Sequence, residues 1–163
     1  MSADHENWTS PYELQGAARL DALARASEVL NEWGLVMPPG EPLVLDFGLG
    51  NFKEIGEIEY WIVNDTENRY CGKFLFLFEG QRCPSHHHGT KDETFFIVRG
   101  SVAMTEDGVE RIMDAGEVLK MPPGRQHTFA AVNGPALILE VSLPSVPNDN
   151  FFEDKRIGNR GVL

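Results

Sequence analysis

The side chains best suited to chemistry sit together in the stretch Gly80-Gln81-Arg82-Cys83-Pro84-Ser85-His86-His87-His88-Gly89-Thr90-Lys91-Asp92-Glu93. In an extended chain, residues i and i+2 share a face, so His86 and His88 converge while His87 points away. Glu93 follows a short turn and opens the apolar run Thr94 to Val98. Two imidazoles and one carboxylate from adjacent strands are the raw material of a divalent metal site with open positions. His127, just after the turn Met121-Pro122-Pro123-Gly124, is the fourth candidate ligand. Taken singly, the histidine run also fits a solvated loop, and His127 also fits a satisfied core histidine.

Two further residues could do chemistry. Glu140 interrupts the apolar run Ala136-Leu137-Ile138-Leu139-Glu140-Val141-Ser142 and shares a strand face with Ile138 and Ser142. An unpaired carboxylate inside a barrel is expensive, so its presence beside a cation would need a reason, and acid–base catalysis is one. A solvent-facing glutamate near a strand end is the alternative. Lys91 lies between His88 and Glu93, so it hangs near the same place; its cation suits the stabilisation of charge on an oxygen or the relay of a proton. An ordinary loop lysine is the alternative there.

The elements that must position these residues read as follows. Ser10 as N-cap, Pro11 at the first helical position and Glu13 in a capping box predict a helix over 11–33. Its apolar stripe is Leu14, Ala17, Leu20, Ala24 and Val29, with Leu23, Leu30 and Trp33 beside it, and Gly34 stops it. After Met37-Pro38-Pro39-Gly40 the helical period does not return. Short runs rich in Val, Ile, Phe and Tyr predict strands near 42–47, 57–63, 69–78, 93–99, 101–105, 109–113, 117–121, 126–132 and 136–142. Turns are expected at Asn64-Asp65, Glu79-Gly80, Glu106-Asp107-Gly108 and Asn133-Gly134-Pro135. The expectation is an all-β fold, a β-barrel or a jelly roll, with one helix packed on its outside. A polar tail over 1–9 precedes a single domain over 10–163, with the barrel at about 42–143 and an extension over 144–163 that Phe151, Phe152 and Ile157 tuck back. The helix stripe and the run Phe74 to Phe78 ask for burial on both faces, which favours a homodimer or a helix covering the sheet within one chain.

Composition narrows the partners. The 163 residues hold 14 Lys and Arg against 25 Asp and Glu, a net charge of −11, which speaks against a basic surface for nucleic acid or anionic membrane. The opening MSADHENWTS has neither a basic n-region nor an apolar h-region, so a cytoplasmic protein without a secretory signal is expected. Cys71 and Cys83, two in number, are too few for a disulfide framework and are expected to stay reduced.

The joint spacing resembles a known superfamily. Gly80, five residues, His86-x-His88, four residues, Glu93, six residues, Gly100 is similar to the first cupin motif; Gly116, five residues, Pro122-x-Gly124, two residues, His127 is similar to the second. The asparagine that often follows in the second motif is Ala131 here, a departure outside the ligand set. More narrowly, Arg69-Tyr70-Cys71-x-Lys73, Gly80-Gln81-x-Cys83-Pro84-x-His86-x-His88, Lys91-x-Glu93-Thr94-Phe95, Glu140-x-Ser142 and Phe152-x-Asp154-x-Arg156-Ile157 resemble the D-lyxose ketol-isomerase family. That resemblance implies a cupin barrel with an internal divalent metal, most often Mn²⁺, held by His86, His88, Glu93 and His127. It implies interconversion of small aldoses and ketoses, D-lyxose with D-xylulose or D-mannose with D-fructose, by enediol proton transfer. Glu140 and Lys91 then become the catalytic pair, with Lys73 and Arg156 as weaker candidates for holding sugar hydroxyls. Co²⁺, Ni²⁺ or Zn²⁺ would bind a histidine-rich site more tightly than Mn²⁺. Fe²⁺ in the same ligands would give the alternative of a cupin dioxygenase, and a sugar-binding cupin without catalysis is another.

Overall fold

Alternation in Glu57-Ile58-Glu59-Tyr60-Trp61 and Lys73-Phe74-Leu75-Phe76-Leu77 gives one sheet two differently clothed faces. The computed structural model describes residues 10–163; the tail expected over 1–9 lies outside the described residues. Nine strands follow one helix: α1 (Gly16–Glu32), β1 (Leu43–Leu45), β2 (Glu57–Asp65), β3 (Tyr70–Leu77), β4 (His86–His88), β5 (Glu93–Glu106), β6 (Val109–Asp114), β7 (Val118–Met121), β8 (His127–Ser142) and β9 (Asn150–Phe152). They form a single curled antiparallel sheet in the order β1-β2-β3-β8-β4-β9, with β5 pairing β6, β7 and β8. The inward face packs Leu75, Leu77, Phe95, Ile97, Phe129 and Ile138. The outward face of β2 and β3 packs Ile58, Tyr60 and Phe76 against Ala22, Ala26 and Leu30 of α1. This is a jelly-roll arrangement, one of the two architectures that the strand pattern predicts.

The helix begins later than its capping box predicts. Ser10–Tyr12 form a 3-10 turn, and the N-cap of α1 is Gln15, which makes no side-chain capping bond. The reason lies in the sheet. Leu14 N–H donates to Val44 O (2.7 Å), Glu13 bridges to Leu45, and Tyr12 O accepts from Asp46 and Phe47 N–H, so the chain leaves the turn extended along β1. Gly16, at φ +62, then turns the chain into the helix. The buried stripe is also rotated: Ala17, Leu20 and Ala24 are exposed, and Ala22, Ala26 and Leu30 face the sheet. Small alanines let the helix lie close against the Phe76 layer, where Trp33 anchors its end 6.1 Å from the Phe76 ring. Gly34, at φ +67, closes the helix as expected.

Two pairs of expected strands are each one strand. β5 runs through Gly100, and β8 runs through the expected turn at Asn133-Gly134-Pro135. The positive φ of Gly100 (+79), Asn133 (+58) and Gly134 (+123) bends the strands instead of ending them. At Gly100 a Cβ would lie 2.4 Å from Pro135 O, so only glycine allows the two bends to nest. β5 and β8 thus make one long ribbon, paired from Glu93↔Ser142 to Glu106↔His127, with its register irregularities beside Gly100. The ribbon curls until its two ends face each other. β4 is the extended His86–His88 segment that the histidine spacing predicts, whereas β9 falls in the extension expected to be irregular; β9 pairs along β4, His86↔Phe152 to His88↔Asn150, and brings Phe152 and Ile157 into the core. No helix among the described residues is long and apolar enough to cross a membrane.

Candidate metal centre and its carboxylate–lysine chain

His86 and His88 point inward from β4, and His127 opens β8 opposite His86 in register. All three are buried, and one ring nitrogen from each lies within 4.8 Å of the other two. His87 points outward, stacked on Phe151 at 5.1 Å and bonded through Nδ1 to Gln126 Oε1 (3.1 Å). Each inward ring has its Nδ1 on a main-chain carbonyl: His86 on Pro84 O (2.8 Å), His88 on Asp149 O (3.1 Å), His127 on Arg125 O (2.9 Å). A carbonyl can only accept, so each Nδ1 carries the proton and each Nε2 keeps its lone pair.

Two of those Nε2 atoms meet Glu93. His88 Nε2 lies 3.1 Å from Glu93 Oε1 and His127 Nε2 3.3 Å from Oε2. Yet His88 Nε2, His127 Nε2 and Glu93 Oε2 are buried without a hydrogen-bond partner. Three orphaned donor atoms converging on one point are what a cation would satisfy, and buried groups of this kind are otherwise rare. Burial and the two neighbouring imidazoles hold His86 well below the usual histidine range, the neutral form a metal needs. Burial works against ionisation of Glu93, but the Lys91 ammonium prevails and keeps its carboxyl well below the ordinary range. The histidine cluster can therefore hold a divalent metal ion.

Beside it runs a chain of alternating charges. Lys91 is buried, with Nζ 2.9 Å from Glu93 Oε1 and 2.6 Å from Glu140 Oε1. Glu140 also accepts from Ser142 Oγ (2.9 Å), and its Oε2 lies 3.6 Å from Lys73 Nζ. Lys73 in turn donates to Glu59 Oε1 (2.6 Å) and sits 4.7 Å from the Trp61 ring centroid. Register explains the neighbours: Glu140 pairs with Lys73 on one side and Phe95 on the other. Burial opposes the charge on both lysines, but Glu140 with Glu93, and Glu140 with Glu59, raise them. At the far end Glu57 is buried, and desolvation together with its neighbour Glu59 pushes its carboxyl well above the usual range.

Residues 75–142 match the cupin domain family. D-lyxose/D-mannose isomerase from Thermosediminibacter oceani is 31% identical, across 80% of this chain and 87% of that protein. The chain belongs to the D-lyxose ketol-isomerase family. D-lyxose ketol-isomerase from Cohnella laeviribosi is 28% identical over 92% of this chain and 98% of its own length. The crystal structure of Cellulomonas parahominis L-ribose isomerase with no ligand overlays with a TM-score of 0.72 at 15% identity, covering 93% of this chain and 98% of the other, which shows a shared fold.

Of the side chains singled out from the sequence, the structure brings His86, His88, Lys91, Glu93, His127, Glu140 and Lys73 together. Arg156 is not among them. Its side chain is 74% exposed and is paired with Asp154 at 2.6 Å, which draws that carboxyl down to about 2. Sequence reasoning missed Glu57, Glu59 and Trp61, which line the cavity from β2. Their signal was present, because a carboxylate interrupting an apolar strand is the feature that singled out Glu140, and Glu57 and Glu59 repeat it on one face of β2. Ser145 and Asn150, from the segment after β8, also line the cavity, and no pattern in that irregular stretch marks them.

Proposed function

We propose that this chain is an aldose–ketose isomerase of small sugars, with a divalent metal held by His86, His88, Glu93 and His127 and with Glu140 as the acid–base residue. The observation that carries the reading is the buried Lys91–Glu140 pair directly beside three converging histidines. Burying two charges is costly even when they pair, so a site that only held metal would have little use for them.

Isomerisation moves a proton between C1 and C2 of the open-chain sugar while a carbonyl and a hydroxyl exchange places. When bound, the metal ion supplies Lewis acidity toward the sugar's O1 and O2. Glu140 Oε1 is occupied by Lys91 and Ser142, so Oε2, with only Lys73 at 3.6 Å, is the oxygen that takes the proton from C2 and returns it to C1. Lys91, wedged between two carboxylates, is held as an ammonium; it gives a proton to O1 as charge develops there and is restored by the proton of O2, so the hydroxyl and the carbonyl exchange places. Lys73, tied to Glu59, is assigned to a hydroxyl farther along the sugar. Apolar Phe95 and Phe152 wall the same cavity and limit water at the reacting carbons.

The first substrates to test are D-lyxose, giving D-xylulose, and D-mannose, giving D-fructose, the sugars in the names of the two relatives. Mn²⁺ is the assigned metal because hard sugar oxygens suit it. A screen of aldopentoses and aldohexoses with Mn²⁺-loaded protein, read by ketose formation, should show turnover on one of these pairs. No ketose from any aldose, or oxygen uptake after anaerobic loading with Fe²⁺, would overturn the assignment. A cytoplasmic setting is consistent with two buried, unpaired cysteines.

A homodimer belongs to the same proposal. The helix and the Phe74–Phe78 run are covered within the chain, which removes one argument for it. What remains is an apolar outer face made by Ile62, Phe96, Val118 and Val141, each between 37% and 60% exposed. Ile62 lies over Gly72, Val141 is opposite Gly72 and Thr94, and Phe96 is opposite Val118, so these side chains form one patch across the five strands β2, β3, β8, β5 and β7. Light scattering at micromolar concentration should give twice the chain mass; a monomer would contradict the dimer.

A further inference from the structure

Asp149 lies outside the barrel strands, in the segment leading from β8 to β9, yet it is only 8% exposed. Its carboxylate is bound by one short turn. Oδ1 accepts the N–H of Gly89 (3.1 Å) and of Thr90 (3.0 Å); Oδ2 accepts the N–H of Lys91 (3.1 Å) and the hydroxyl of Thr90 (3.0 Å). Three consecutive main-chain N–H groups closing on one carboxylate make a fixed anion cradle. The carbonyl of the same residue accepts the Nδ1 proton of His88 (3.1 Å). Gly89 is the place where the turn comes closest: a Cβ there would lie 3.0 Å from Asp149 Oδ1 and 3.3 Å from Phe151.

These contacts fall on the only stretch between His88 and Glu93. Lys91 is rooted in that turn, and its side chain reaches Glu93 and Glu140 from it. With both oxygens filled by donors, the Asp149 carboxylate is not available as a base. We propose that Asp149 is a positioning residue: it docks the Gly89–Lys91 turn so that the Lys91 ammonium stands between Glu93 and Glu140, while its carbonyl orients His88. The C-terminal segment is thereby part of the reaction machinery as well as of the fold. This inference rests on the proposed roles of Lys91 and Glu140, and misplacing a reacting group by about 1 Å can cost roughly 10²-fold.

The test is a double-mutant cycle on Mn²⁺-loaded full-length protein with D-lyxose. Asp149→Asn keeps the size but turns one acceptor into a donor facing N–H groups. It should lower kcat by about 10- to 100-fold with little change in KM. Metal content should hold, because His88 is bonded to the main-chain carbonyl. In a Lys91→Ala background the same change should cost no more than about twofold, since it acts through Lys91. Gly89→Ala is the second variant, in case Asp149→Asn does not fold. Its φ is not in the left-handed region, so alanine adds no backbone strain and presses on Asp149 first and on the Phe151 ring beside it, and the same non-additive loss of kcat is expected. A normal kcat in either variant, or a loss that multiplies in full with Lys91→Ala, would overturn the positioning role while leaving Lys91 intact as a catalytic group. A Lys91→Ala protein with wild-type turnover would overturn the role of Lys91 itself, and with it the positioning role.

Discussion

Glu140→Gln is expected to fold, bind metal and bind sugar, yet turn over about 10²–10⁴-fold more slowly than the parent, the usual loss when a positioned acid–base group is removed. Glutamine preserves the shape of the side chain and can still accept from Lys91 or Ser142, so the barrel keeps its packing. What it loses is the ability to take a proton from carbon. It also leaves Lys91 paired with Glu93 alone and Lys73 with Glu59 alone, both of which survive as ion pairs. The decisive measurements are kcat, KM and exchange of the sugar's C2 hydrogen with solvent. A loss in kcat with KM nearly unchanged marks an interaction made in the transition state. If Glu140→Gln isomerises lyxose normally while Lys91→Ala is inactive, the base lies elsewhere and the two roles must be reassigned.

His88→Ala is expected to lose metal and activity together, whereas His87→Ala is expected to change neither. The two residues are neighbours in sequence, so the contrast isolates direction. His88 offers a buried, unpartnered Nε2 toward Glu93 and His127, while His87 stacks on Phe151 outside the barrel. Even removal of an outer partner of a metal ligand typically costs about 10–100-fold in affinity, so deleting a ligand should cost at least that. Chelation, reconstitution with Mn²⁺ and elemental analysis would read the occupancy. Full occupancy in His88→Ala would sink the four-residue ligand set. Loss of metal in His87→Ala would mean that the outward stack also shapes the site.

Much of the site was legible because strands have a two-residue period. His86 and His88 share a face whatever the rest of the chain does, and Glu140 stands out because a charge in an apolar strand must find partners. The same rule, applied to Glu57-x-Glu59-x-Trp61, would have disclosed the other wall of the cavity. The helix was legible in kind but not in its start, because hydrogen bonds between residues 12–14 and β1 override the local capping signal. Arg156 drew notice from its place in a motif, but an aspartate two residues away holds it at the surface.

The amino-acid sequence alone determined which side chains share a face, which residues could ligate a metal, and that a sheet with one covering helix would carry them. What periodicity does not determine, and the family resemblance only implies, is that His127 touches Glu93. In the ribbon His127 is paired with Glu106, thirteen residues along β5 from Glu93, which is roughly 43 Å in a straight strand at about 3.3 Å per residue. In the folded chain the two side chains are 3.3 Å apart. Sheet twist and the bends at Gly100 and Asn133-Gly134 roll the ribbon until its ends meet, and burial of the inward apolar face against itself holds it closed. Local periodicity specifies faces, whereas closure sums small rotations over fourteen residues and depends on packing between strands distant in sequence. For that reason the physical cause of their meeting lies in the tertiary structure, which joins Lys73, Glu59 and Glu57 to the set and leaves Arg156 outside it.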